Sequence, residues 1–247
     1  MNSPLTAIRV WVEMVKLVHS VFALPFALIA AFLAGRKLEG RHRPYVGQLV
    51  LIVLCMVAAR SVAMTFNRIV DAEIDARNPR TAGRPLPAGR LSRLAAYAML
   101  VLSAITFGLA CLGFHMFYHN TWPILLSGPV LVYLCGYSFT KRFTKWSHFY
   151  LGSAIAMAPP AAWLAVDPAS IGLPALLLTV TVTCWIGGFD IIYACQDIDM
   201  DRREGLHSLP SRIGPAKALW IARTAHAVVV AALVALGVVA DLGAVYA

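Results

Sequence analysis

The sequence predicts an all-α, multi-spanning transmembrane helical bundle, on three observations: its composition, seven long apolar runs, and charges gathered in short loops. Of 247 residues, 60% are hydrophobic and 13% charged, and the mean hydropathy is +0.72. A soluble domain carries about 25% charged and 45–50% apolar residues. A chain of this length cannot hide so much apolar surface from water, so lipid must be the solvent for much of it. The formal charge is +9. Its basic residues sit between apolar runs, which is the pattern of topology determinants and excludes a nucleic-acid partner.

A spanning helix needs about 20 mostly apolar residues. Seven segments qualify: 11–34, 47–70, 93–113, 121–139, 148–166, 171–195 and 218–240. The first ends Ala-Phe-Leu-Ala-Gly, like a leader cleavage site, but Glu13 and Lys16 lie close and further spans follow, so it reads as a retained span. Its His19 reads as a residue bonded to a neighbouring backbone. The second carries Arg60 and ends in an acidic cluster. The third and fourth follow Arg93 and precede Lys141, and the fifth is uncharged until Asp167. The sixth carries Asp190 and ends in a second acidic cluster, and the seventh closes the chain. Barrel strands would instead alternate about every ten residues. The five cysteines form no CxxC pair and read as buried thiols. The whole chain, 1–247, reads as a single domain.

Loop charges set the orientation. The loops after the second, fourth and sixth segments hold twelve Lys or Arg: Arg77, Arg80, Arg84, Arg90 and Arg93, then Lys141, Arg142 and Lys145, then Arg202, Arg203, Arg212 and Lys217. The loops after the third and fifth hold none. By the positive-inside rule the basic loops and the N-terminus face the cytoplasm. The first loop, with Arg36, Lys37, Arg41 and Arg43, runs against this, four residues to twelve.

Asn67, Asp71 and Asp75 are spaced i, i+4, i+8, as are Tyr193, Asp197 and Asp201. That spacing stacks each set along one helix face. Both sets leave the bilayer on the predicted cytoplasmic side. Like charges one turn apart repel, and more so near lipid, so a hard divalent cation is expected between them. Four aspartates and two divalent ions cancel, and a diphosphate adds roughly three negative charges. Arg68, Lys141 and Arg142 stand at the same helix ends to balance it. A solvated helix end explains one such cluster well and two matching ones poorly. Carboxylates at helix ends, not at mid-bilayer, argue against a cation transporter.

These residues resemble a known family. Asn67-Arg68-x-x-Asp71-x-x-x-Asp75 with Tyr193-x-x-x-Asp197-x-x-x-Asp201 is similar to the paired signatures of the UbiA-type membrane prenyltransferases. Arg80-Thr81-Ala82-Gly83-Arg84-Pro85-Leu86-Pro87-Ala88-Gly89 and Tyr137-Ser138-Phe139-Thr140-Lys141-Arg142-Phe143-Thr144 resemble its following segments. Gly188 to Asp197 resembles the 4-hydroxybenzoate branch. Leu206-His207-Ser208-Leu209-Pro210 resembles a bacterial subgroup that prenylates 1,4-dihydroxy-6-naphthoate on a route to menaquinone. CDP-alcohol phosphotransferases also use aspartates and Mg²⁺, but within one contiguous motif, whereas Asp71 and Asp197 are far apart in this chain.

The resemblance implies Mg²⁺-dependent transfer of a polyprenyl group from a polyprenyl diphosphate to an aromatic acid in ubiquinone or menaquinone synthesis. Haem O synthesis is the alternative within the family. The Mg²⁺ ions would be held by Asp71, Asp75, Asp197 and Asp201 with Asn67, and the diphosphate by Arg68, Lys141 and Arg142. Arg60, Asp190 and Tyr193 are assigned to the acceptor. Arg60 and Asp190 each lie seven residues before a motif, on its face, so a buried Arg60–Asp190 ion pair is the competing assignment. The family has nine spans against seven here, so a chain shortened at its C-terminus is expected.

Overall fold

A computed structural model of the chain describes residues 4–16, 23–38 and 40–243. These form twelve α-helices and one 3-10 turn, with no strand among the described residues. Helices α1 (Pro4–Val15) and α2 (Leu24–Gly35) lie where one span is predicted. At 12 residues, α2 extends about 18 Å, short of a hydrocarbon core of roughly 30 Å. His19 lies outside the described residues.

The other six predicted segments are helices long and apolar enough to cross a membrane. They are α3 (Val46–Val70), α5 (Arg93–Tyr118), α6 (Trp122–Thr140), α7 with α8 (Ser147–Ile155 and Ala158–Val166), α9 (Leu173–Ala194) and α12 (Pro215–Val239). Short helices α4 (Ala72–Arg77), α10 (Ile198–Arg203) and α11 (Leu209–Ile213) lie between them. The α7–α8 span breaks before Pro159 and Pro160. Neither proline has an N–H for the preceding turn, and both suit the start of a new helix.

The chain divides into two compact units. One holds α1, α3 from Val53 onward, α4, α5 and α6 as far as Ser138. In it Met14, Leu91 and Ala96 form a core with Val10, Trp11, Ile69 and Leu86, which fastens α1 and the loop after α4 to the end of α3. Trp11 Nε1 donates to Thr65 Oγ1 at 2.9 Å, a partner that its indole N–H needs when buried. Ala58, Phe107 and Cys111 form a second core joining α3, α5 and α6.

The other unit holds α2, the first turns of α3 and the chain from Phe139 onward. There α9 packs against α7 and α12, and α2 against α8. Small residues allow the approach. A Cβ on Gly152 of α7 would strike the Thr183 carbonyl of α9, and one on Gly188 would lie 2.9 Å from His226 Nε2 of α12. Lipid gives no hydrophobic drive between helices, so close packing of this kind must hold them. Large side chains point outward instead: Val230, Val234 and Val238, one turn apart on α12, are each more than 60% exposed. Such a stripe suits lipid.

Two long-range contacts in this unit agree with the predicted topology. Arg36 Nη1, after the first segment, donates to the Ala240 carbonyl at the end of the last, at 3.0 Å. The His207 N–H, after the sixth, donates to the Lys141 carbonyl, after the fourth, at 2.7 Å. Each pair joins loops expected on one membrane side.

Candidate metal and diphosphate centre

The two aspartate clusters share a local design that spacing alone conceals. Asp71, at φ −91° and ψ 0°, separates α3 from α4, and Asp197, at φ −114° and ψ 13°, directly precedes α10. Both stand in or near the sparsely populated bridge region, so each predicted unbroken face is in fact a spanning helix that stops and restarts as six acidic-start residues. In the first cluster the stacking survives the break; in the second the Asp197 N–H turns to Ala194 O at 3.1 Å, so Tyr193 leaves the row and only Asp197 and Asp201 keep the four-residue interval. The N–H of Asp71 still donates to Asn67 O at 2.9 Å, that of Asp75 to Asp71 O at 2.8 Å, and that of Asp201 to Asp197 O at 2.8 Å. Neither Asp71 nor Asp197 uses its carboxylate to cap the helix it precedes.

The first cluster is buried: Asn67, Asp71 and Asp75 are 7%, 2% and 6% exposed. This excludes a solvated helix end. Asn67 Nδ2 donates to Asp71 Oδ2 at 3.0 Å. Arg84 Nη1 reaches both oxygens of Asp75, at 2.7 and 2.6 Å, and Arg68 Nη1 stands 3.9 Å from Asp75 Oδ2 and 3.4 Å from Asn67 Oδ1. Thr81 Oγ1 donates to the Asp75 carbonyl at 3.0 Å, which folds the 78–91 loop back over the cluster. Arg84 is thus a cation of this cluster that the sequence shows only as one loop charge among many. Its signal was its place in the Arg80–Gly89 segment, nine residues after Asp75.

In the second cluster Asp201 is partly buried, and burial pushes its carboxyl above the ordinary value, while a hydrogen bond from Ser208 and the Lys141 charge pull the other way and Asp197 pushes up. Lys141 and Arg142 follow α6 directly, with the Arg142 guanidinium over the Phe139 ring at 5.6 Å. The segment 206–211 is tied to both: the Leu206 N–H donates to Asp201 O at 2.7 Å, and the His207 N–H to Lys141 O. Tyr193, at the end of α9, is 43% exposed.

The remaining candidates sit within spans. Arg60 lies in α3, and its Nε is buried without a hydrogen-bond partner among the described residues. Asp190 is bonded to His148 at 2.8 Å, a partner 42 residues away that no local spacing announces.

Among the described residues no three His, Cys, Asp or Glu side chains converge on a single metal position. Each cluster instead offers hard carboxylate oxygens in pairs, with an amide oxygen in the first. Mg²⁺ is bound through one or two carboxylates plus substrate phosphates and water rather than in an all-protein cage. The donor set fits that ion.

A sequence profile of the UbiA prenyltransferase family matches residues 23–247. The 4-hydroxybenzoate octaprenyltransferase of Serratia proteamaculans is 33% identical over 172 residues, 69% of this chain and 57% of that protein. The chain therefore spans a little over half the length of that relative. The apo structure of a UbiA homologue from Aeropyrum pernix superposes with a TM-score of 0.82 at 32% identity, covering 93% of this chain and 82% of the other. A UbiA homologue from Archaeoglobus fulgidus, bound to GPP and Mg²⁺, shares the fold, with a TM-score of 0.70 at 17% identity over 93% of this chain and 78% of the other.

Proposed function

We propose, from the premise that this chain belongs to the UbiA prenyltransferase family, that it transfers a polyprenyl group from a polyprenyl diphosphate to a hydroxylated aromatic acid at a membrane surface. The observation that carries this reading is the repeated element: Asp71 and Asp197 each interrupt the chain after a spanning helix and lead into a short acidic helix. Asn67, Asp71, Asp75, Asp197 and Asp201 would hold Mg²⁺. When bound, the ion acts as a Lewis acid toward charge developing on a departing diphosphate.

The chain's own residues supply the rest. Arg68, Lys141 and Arg142 are assigned to the diphosphate, where a guanidinium grips two oxygens and an ammonium acts as a point charge. Arg84, already on Asp75, compensates the first cluster. Arg60, Asp190 and Tyr193 are assigned to the acceptor. The buried Nε of Arg60 supports this, because a guanidinium nitrogen kept from water asks for an anionic partner. Apolar helix walls would take the isoprenoid tail and exclude water from an allylic cation.

The named relative supports 4-hydroxybenzoate as acceptor. The segment Leu206-His207-Ser208-Leu209-Pro210 favours 1,4-dihydroxy-6-naphthoate as the second reading. The test is purified protein in lipid nanodiscs with geranyl diphosphate, each acid in turn, and Mg²⁺ or EDTA. Prenylated product from one acid, abolished by EDTA, is expected. Prenylation of neither acid, or transfer that persists in EDTA, overturns the reading.

A further inference from the structure

We propose that His148 is a positioning residue for the second aspartate cluster, acting through the segment 206–211. The inference rests on the metal–diphosphate reading above. His148 opens α7 and is 3% exposed. Its Nδ1 lies 2.8 Å from Asp190 Oδ2 on α9, and its Nε2 lies 3.1 Å from the Leu209 backbone nitrogen at the start of α11. A backbone N–H can only donate, so Nε2 accepts, and the ring proton sits on Nδ1 and is donated to Asp190. One buried ring therefore fixes the first turn of α11 to two spanning helices, and it satisfies an N–H that a helix start leaves without an intrahelical partner.

The segment held this way touches two residues of the proposed centre. Its Leu206 and His207 N–H groups bond the carbonyls of Asp201 and Lys141, each at 2.7 Å. The Ser208 Oγ accepts from the Ser211 N–H at 3.4 Å, and its hydroxyl favours the charged form of the Asp201 carboxyl. The Ser208 hydroxyl has one proton, so with Ser211 donating to it that proton is available for Asp201. Asp201 is thus fastened, through the Leu206 N–H on its carbonyl, to a segment whose place depends on His148. Outer partners of this kind hold a ligand's oxygens in register, and losing one costs roughly 10–100-fold in metal affinity.

Two near-isosteric variants separate this role from simple support of the fold. The side-chain amide of His148→Asn reaches where Nδ1 stood, so it keeps the Asp190 bond and loses Leu209. That of His148→Gln reaches where Nε2 stood and does the reverse. The readout is the melting-temperature shift in nanodiscs produced by Mg²⁺ together with the unreactive analogue geranyl S-thiolodiphosphate, titrated in Mg²⁺. His148→Asn is expected to raise the Mg²⁺ midpoint about tenfold or more, and His148→Gln to stay near wild type. A midpoint within twofold of wild type for His148→Asn, or an equal rise in both variants, overturns the proposal. If His148→Asn does not fold, Ser208→Ala takes its place: a raised midpoint supports the inference and an unchanged one overturns it. Absence of any Mg²⁺-dependent shift in the wild type overturns the metal–diphosphate reading itself.

Discussion

Asp75 and Asp201 hold matching positions in the two clusters, yet their surroundings differ. Asp75 is 6% exposed and clasped by Arg84. Its removal strands a largely desolvated guanidinium, so Asp75→Ala should cost about 1–3 kcal/mol of stability, visible as a lower Tm without any ligand. Asp201 is a carboxyl that burial pushes up. A group whose folded pKa lies above its unfolded one costs stability that is fully present above the folded pKa and absent below the unfolded one. Asp201→Asn should therefore match or exceed wild type in metal-free Tm near neutral pH, with the advantage shrinking as pH falls toward about 4. A clear loss of Tm in that variant at neutral pH contradicts the assignment. Asp71→Asn and Asp197→Asn are expected to abolish prenyl transfer while the protein still inserts and purifies, and near-normal turnover at saturating Mg²⁺ would remove both from the metal site. Arg60→Lys keeps charge but loses the planar fork. Acceptor affinity should fall about tenfold while prenyl diphosphate affinity holds, and a fall in both would point to a packing role.

At the scale of elements, what the sequence made legible was what depends on periodicity and local spacing. Six spans stand where apolar length puts them, because lipid selects for uninterrupted apolar runs. The aspartate pairs were legible because a four-residue interval survives even where the helix breaks. The breaks at Asp71 and Asp197 were not legible, since no proline or glycine marks them. Nor was the division of the first segment into α1 and α2. Arg84 and His148 act across loops and between helices, and such partnerships leave no periodic trace. Gly152 shows the same limit: its value lies in the Thr183 carbonyl facing it on α9. Gly152→Ala must push α7 off α9, at a cost of about 1–3 kcal/mol in the manner of an overpacked core. Because α7 carries His148, the same variant should also weaken Mg²⁺-dependent stabilisation by the thiolodiphosphate. A Tm and Mg²⁺ midpoint both equal to wild type would mean that α7 accommodates the methyl by a shift that leaves the second cluster untouched.

For the whole molecule, the charge pattern admits two roles that must be separated. Lys141 and Arg142 belong to the basic loops expected to orient the chain, and they also lie beside the segment bonded to Asp201. Ten further basic residues in those loops share the topological task, so two neutral substitutions should leave the orientation standing. Alkaline phosphatase fused after Asn120 is then active, and the same enzyme fused after Thr144 is inactive, in wild type and in the Lys141→Gln, Arg142→Gln variant alike. The hydrogen bonds from Arg36 to Ala240 and from His207 to Lys141 support this parity, because each links loops assigned to one side. If the two cations hold the diphosphate, the double variant raises the KM for prenyl diphosphate about tenfold or more, the loss of charge-assisted hydrogen bonds, while the KM for the aromatic acid stays put. If they only set topology, KM stays at its wild-type value and the fusion after Thr144 gains activity as orientation becomes mixed. Kinetics and fusion activity measured on the same variant give opposite patterns for the two roles, and the position of Lys141 beside the second cluster favours the first.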